Sequence, residues 1–243
     1  MSVFPEVELG SVCTLVNGYA FKPSDWGKSG FPIVRIQNLN NPDCGFNFFD
    51  GEIKDQFLID SGELLFSWSG TPGTSFGAFF WYRGKAVLNQ HIFRVLVDKN
   101  RVDKKYFYYA INHRLDKIIA QSHGGVGLKH ITKGRLEAIK IPLPPLEEQR
   151  RIAAILDKAD DIRRKRKQAI ALTEELLRST FLDMFGDPVT NPKGWKVKTL
   201  GSLCKVRRGA SPRPISEYLG GSIPWIKIGD ATESDDIYIY IYI

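Results

Sequence analysis

The stretch from Pro142 to Pro188, PLPPLEEQRRIAAILDKADDIRRKRKQAIALTEELLRSTFLDMFGDP, constrains the fold more than any other part of the chain. Ile152, Ile155, Ala159, Ile162, Ala169, Leu172, Leu176 and Phe181 recur at three- and four-residue steps, the period of an amphipathic helix. Pro144 and Pro145 suit its opening, where a missing N–H removes no helical bond. Glu147 and Glu148 place negative charge in the first turn, as the macrodipole favours. Gly186, with Pro188 two residues on, gives a stop signal. About 40 residues at 1.5 Å each make roughly 60 Å. That length suits a spacer or a pairing surface better than one element of a single core.

What flanks this helix differs on its two sides. Residues 1–141 alternate strand-like runs with turns: Val12 to Val16, Phe31 to Ile36, Glu63 to Trp68, Gly77 to Tyr82 and His91 to Val97. Lys104 to Gln121 has helical spacing, and Gly134 to Ile141 reads as a short helix or turn followed by a strand. Strands in runs, without regular βαβ alternation, predict an α+β fold. Beyond the helix, the start of the chain repeats. Leu9-Gly10-Ser11-Val12-Cys13 matches Leu200-Gly201-Ser202-Leu203-Cys204, and Gly18 matches Gly209, all at an offset of 191. Pro32-Ile33-Val34-Arg35-Ile36 then matches Pro224-Trp225-Ile226-Lys227-Ile228 at 192. The expected organisation is therefore a first domain at 1–141, a spacer or dimerisation helix at 142–188, and the start of a second copy at 189–243. About 40 residues of that copy are too few to bury a core. Its end, Ile237 to Ile243, alternates Ile and Tyr strictly, which we read as the translation of a slipped AT repeat.

Chemistry is sparse. Cys13, Cys44 and Cys204 have no metal-ligand spacing and are odd in number, so neither a zinc site nor a disulfide framework is indicated. No apolar run approaches the ~20 residues of a membrane span, and no signal peptide opens the chain, so cytoplasm is the default. His91, His113, His123 and His130 are scattered, and His123-Gly-Gly-Val-Gly127 lacks the ending of a phosphate-binding loop. Pro42-Asp43 followed by Glu52-Ile53-Lys54 fits the loose signature of metal-dependent nucleases, in which Asp43 and Glu52 would hold a divalent ion and Lys54 would stabilise charge. The turn-like flanks of Glu52 argue against it.

Binding fits better. A net charge of +7 permits a nucleic-acid partner, and Arg163, Arg164, Lys165, Arg166 and Lys167 are consecutive. Such a run meets phosphate or simply forms a solvated helix face. Trp68, Ser69, Thr71, Thr74 and Ser75 place an aromatic ring and hydroxyls at a strand end, where they would read base edges or phosphates, or would only build a turn. Asn89 and Gln90 offer amides to adenine or to backbone groups. Lys129 and His130 follow Gly127, a residue that permits close approach to phosphate.

Together these pieces resemble the specificity subunits of type I restriction–modification systems. The resemblance rests on Ile141-Pro-Leu-Pro-Pro145-Leu-Glu-Glu-Gln149-Arg-Arg-Ile152 leading into the long helix, and on Leu64 to Gly73 (LLFSWSGTPG). Asn89-Gln90 before a strand and Gly127-Leu-Lys-His-Ile131 add to it. It implies a mixed α/β target-recognition domain, a coiled-coil-like spacer helix and a non-catalytic role. It also implies double-stranded DNA, modification (methyltransferase) subunits and a restriction subunit as partners. S-adenosylmethionine, ATP and Mg would belong to those partners, and this chain would need no cofactor. Variable recognition domains carry no base contact over by motif, so Trp68, Ser69, Thr71, Thr74, Ser75, Asn89, Gln90, Lys129, His130, Arg163 and Arg164 are candidates from residue chemistry.

The sequence departs from that family in its second half. A full subunit carries two recognition domains and a second long helix packed on the first. Here the apolar stripe Ile152, Ile155, Ala159, Ile162, Ala169, Leu172, Leu176 and Phe181 has no such partner within the chain. A second copy would supply it about a two-fold axis, and the dimer would read an inverted, interrupted repeat. The alternatives are the Asp43, Glu52 and Lys54 nuclease and a helical scaffold that binds no DNA.

Overall fold

The computed structural model describes residues 4–41, 43–72, 74–123, 129–209 and 213–228. The Ile/Tyr tail, Pro42, Gly73 and the glycines of 124–127 lie outside the described residues. Two compact units are present, Met1–Thr173 and Glu174–Ile243, so the division falls inside the long helix and not at its ends.

In chain order the elements are β1 (Glu6–Glu8), β2 (Cys13–Asn17), β3 (Phe31–Val34), α1 (Ile36–Asn40), β4 (Asn47–Phe49), β5 (Leu58–Ile59), β6 (Glu63–Ser67), β7 (Ser69–Gly70), β8 (Gly77–Trp81), β9 (Ala86–Leu88) and β10 (Ile92–Val97). They continue with α2 (Lys104–His113), α3 (Leu115–Ala120), β11 (Lys129–His130), α4 (Lys133–Glu137), β12 (Lys140–Pro142), α5 (Leu146–Phe185) and α6 (Leu200–Leu203). This is an α+β fold with one long helix. The expected helix at Lys104–Gln121 is two helices, broken at Arg114.

The first unit is built on an antiparallel sheet ordered β2-β10-β6-β8. Leu64 and Phe66 of β6 face one cluster with Leu15, Phe93, Val95, Phe107, Ile111 and Ile118, covered by α2 and α3. Leu65, Trp81 and Ile92 face the other way, against Val34, Ile59, Ala86 and Leu88 of a second sheet ordered β4-β3-β9-β5. Both faces are therefore dry, which explains why β6 is an unbroken apolar run and not an alternating one. Cys13 sits in the first cluster; burial pushes its thiol up to about 12, and it is inert at neutral pH.

The domain is closed by pairing its two ends. Strand β1 runs antiparallel to β12, with Val7 opposite Ile141. Leu143 N–H donates to Pro5 O at 2.8 Å, and Tyr106 Oη–H donates to Pro142 O at 2.7 Å. The closure delivers the chain directly into α5.

Helix α5 starts one residue after Pro145, whose carbonyl accepts from Gln149 N–H at 3.0 Å. Gln149 is fully buried. Its amide donates to Arg101 O at 3.0 Å and Pro144 O at 2.7 Å, and its carbonyl accepts from Asp103 N–H at 2.8 Å. Two turns on, Asp157 accepts from Tyr109 Oη at 2.8 Å and forms an ion pair with Lys105. Burial opposes the Asp157 charge, yet the bonds from Lys105 and Tyr109 outweigh it and hold the carboxyl below its usual range. Its partner Tyr109 is pushed upward, first by burial and then by the same carboxylate. The opening turns of α5 are thus part of the domain.

In the second unit, the stop signal forms a side-chain cap. Gly186 adopts φ +78° and donates to Leu182 O at 2.8 Å. Lys193 Nζ donates to the carbonyls of Asp183 and Met184, and Trp195 Nε1 donates to Phe185 O at 2.8 Å. These satisfy three of the last helical carbonyls. Asn191-Pro192-Lys193 therefore ends a helix.

Candidate nucleic-acid interface

Strands β7 and β11 form a two-stranded platform, with Lys129 opposite Gly70 and His130 opposite Ser69. Trp68 anchors it to the main sheet. Its indole N–H donates to Gln90 O at 3.0 Å, its carbonyl accepts from Ile131 N–H at 3.0 Å, and its ring lies 5.2 Å from that of His91. His123 and His130 exchange backbone hydrogen bonds of 2.9 Å each way, with their rings stacked at 6.3 Å. Arg135 donates to Gln121 O at 3.0 Å and reaches a ring nitrogen of His123 at the same distance. The structure thus gathers Trp68, Ser69, Gln90, Lys129 and His130 from three separate stretches. It adds His91, His123 and Arg135, which sequence reasoning did not place there. The pairing of β7 with β11 and of β6 with β10 brings them together, and two-residue strands leave no periodic signal.

Other candidates are placed differently. Ser75 is buried, and its hydroxyl accepts from Thr71 N–H at 2.8 Å. A Cβ on Gly70, at φ +154°, would lie 2.5 Å from that hydroxyl, so Ser75 and Gly70 lock the loop. Thr74 is exposed, its hydroxyl donating to Thr71 O at 3.2 Å, and Thr71 is exposed beside it. Asn89 is also buried, and its N–H donates to Val34 O at 3.1 Å. Ser75 and Asn89 are both buried and help to build the loops that hold the platform.

On α5, Arg163 pairs with Asp160 at 2.7 Å, Arg164 with Asp161 at 3.3 Å and Lys165 with Asp161 at 2.9 Å. The five-residue basic run is thus partly answered by two carboxylates one turn earlier, and exposed pairs of this kind contribute little to stability. Ile152 is half-buried against the first unit's own core, so it is shared with the domain. Ile155, Ile162, Leu172, Leu176 and Phe181 are each more than half exposed, and Ala159 and Ala169 are exposed with them.

The nuclease candidates lie on the surface of the first unit. Asp43, Glu52 and Lys54 are exposed, and Glu52 and Lys54 lie in irregular backbone and not in an apolar strand. No group of three His, Cys, Asp or Glu side chains able to hold a metal occurs among the described residues. No helix among them is long and apolar enough to cross a membrane.

Comparison with known proteins bears on what this surface serves. Residues 1–172 match the family described as the type I restriction modification DNA specificity domain, well over half of the chain. The chain belongs to that family. It is 31% identical over 153 residues to the type I restriction enzyme EcoBI specificity subunit of Escherichia coli, covering 62% of this chain and 31% of that one. A putative MjaX specificity subunit of Methanocaldococcus jannaschii is 25% identical over 248 residues, covering 90% of this chain and 58% of its own length. The fold is that of the HsdS subunit from Thermoanaerobacter tengcongensis, with TM-score 0.54 and 22% identity over 74% of this chain and 44% of the other. This specificity-family chain therefore spans about a third to somewhat over half the length of the relatives it matches.

Proposed function

We propose that the chain is a non-catalytic DNA-recognition subunit that directs adenine methylation and DNA cleavage by partner enzymes in the cytoplasm. The observation that carries this reading is the family match across the first domain and most of α5. Modification subunits would bind S-adenosylmethionine, and a restriction subunit would bring the ATP- and Mg-dependent nuclease. This chain's residues choose the double-stranded site. Trp68, Ser69, Gln90, Lys129 and His130 form a platform of aromatic, amide and cationic groups suited to base edges and phosphates.

The same reading makes the chain a homodimer through α5. Ile155, Ala159 and Ile162 fall opposite Leu176, Leu172 and Ala169 of a second, antiparallel helix. All three pairs share one centre, between Lys165 and Arg166. A stripe that is complementary to its own reverse supports an isologous two-fold contact. Two identical recognition domains on such a dimer read an inverted, interrupted repeat. The basic run sits at the dyad, five cations against Asp160 and Asp161 in each copy, and would face phosphate between the half-sites.

Light scattering at micromolar concentration tests the dimer. Wild type is expected to have twice the chain mass, and Ile155→Glu and Leu176→Glu are each expected to be monomeric. A monomeric wild type, or a dimer that ignores both substitutions, contradicts the reading.

A further inference from the structure

Three buried side-chain polar atoms lack a hydrogen-bond partner among the described residues: Arg35 Nε, Gln90 Oε1 and Arg114 Nε. Arg114 is explained, because its guanidinium is paired with Glu6. Arg35 and Gln90 are not explained, and they share a location. Strands β3 and β9 run parallel, with Val34 opposite Leu88, and Asn89 N–H donates to Val34 O at 3.1 Å. Arg35 directly follows the last paired residue of β3, and Gln90 follows that of β9 by two. Arg35 and Gln90 therefore sit just past the carboxyl ends of two adjacent parallel strands, the usual side for a ligand in parallel sheet. Buried polar groups left unsatisfied in a native fold call for an explanation, such as a water or a ligand nearby.

The surroundings suit a base. The Arg35 guanidinium lies over the Trp26 ring, 5.1 Å from its centroid, a cation–π contact. Trp26 and Tyr19 are both 41% exposed, and Tyr19 bridges to Asn89 at the same strand ends. The Gln90 carbonyl is held by Trp68 Nε1, so this corner adjoins the β7–β11 platform. Asp25, the acidic residue next to Trp26, already accepts from Lys22 N–H at 2.7 Å and from Ser24.

We infer that Arg35 and Gln90 are specificity-determining residues that read base edges of double-stranded DNA, with Trp26 positioning Arg35. The inference rests on the recognition reading above. The Arg35 guanidinium offers a two-donor fork to guanine O6 and N7, and the Gln90 amide, whose Oε1 is buried, offers its Nε2 donor to adenine N7. Both side chains are half-buried, so their inner atoms are already dry and their geometry is set before DNA arrives.

Selection from a pool of randomised duplexes by the full chain, alone and with its modification subunit, tests this. Arg35→Lys keeps the charge but loses the fork. It is expected to relax one guanine position of each half-site by about ten- to a hundred-fold, leaving the other positions as they were. Gln90→Ala is expected to relax a second position, an adenine, by a similar factor. Variant profiles identical to that of a selective wild type overturn the inference and leave the recognition reading intact. A folded wild type that selects no sequence overturns both.

Discussion

Leu9-Gly10-Ser11-Val12-Cys13 and Leu200-Gly201-Ser202-Leu203-Cys204 carry nearly the same residues and meet opposite surroundings. Both make a short helical turn, Leu9–Ser11 in one and Leu200–Leu203 in the other. The local sequence therefore sets the local conformation in each. Burial is another matter. Leu9 is 1% exposed and donates to Ile139 O, whereas Leu200 is 69% exposed. Val12 is buried and Leu203 is exposed. A Cβ on Gly10 would lie 2.9 Å from Glu137 Cβ, and one on Gly18 would lie 2.2 Å from Asn89 O. Around Gly201 and Gly209 nothing lies within 4 Å. Val34 is fully buried and its counterpart Ile226 is exposed. Asn89, Glu137 and Ile139 reach the first copy from far along the chain.

Matched substitutions sharpen that contrast. Leu9→Ala is expected to destabilise the first unit by about 2–5 kcal/mol, and Gly18→Ala by about 3 kcal/mol. Leu200→Ala and Gly209→Ala are expected to stay within about 0.5 kcal/mol of wild type. Denaturant titration followed by the fluorescence of buried Trp81 reads all four. Equal losses from Leu9→Ala and Leu200→Ala would break the comparison, because they would mean that the second copy also builds a core.

A smaller effect is expected where α5 joins the first unit. Gln149→Leu leaves Asp103 N–H and the carbonyls of Arg101 and Pro144 without their partner and is expected to cost about 1–3 kcal/mol. Unchanged stability in the same titration would mean that the helix opening is not tied to the domain.

The smallest effect depends on pH. The folded Asp157 carboxyl titrates below its ordinary range, so the unfolded chain binds the more protons in acid. Its contribution is full above the unfolded value of about 4 and is lost as pH falls through the lower, folded value. Because Lys105 is more than half exposed, the contribution is screened and is expected to stay below about 1 kcal/mol. The stability gap between wild type and Asp157→Asn should close in acid. A gap that stays constant from pH 7 to pH 3 would contradict this.

Periodic features were legible in the sequence. Strand β6, the ends of α5 and the repeat at offset 191 all leave a local pattern. The two-residue strands β5, β7 and β11 do not, and β7 and β11 form the platform. Gln149 reads as an ordinary polar residue in a first turn, and only the fold brings Arg101, Asp103 and Pro144 around it. Arg35 belongs to the apolar-looking run Phe31 to Ile36, so its stacking on Trp26 and its unmet Nε were invisible. Ser75 and Asn89 have the chemistry of readers, but burial turned them inward.

The central claim is that one recognition domain, doubled by α5, reads an inverted site. Mapping of adenine methylation in cells that carry this chain with its modification subunit tests it most directly. Methylation is expected at palindromic bipartite sites and is expected to be lost when Leu176 is replaced by Glu. Methylation confined to asymmetric sites, or a palindromic pattern unchanged by Leu176→Glu, would contradict it.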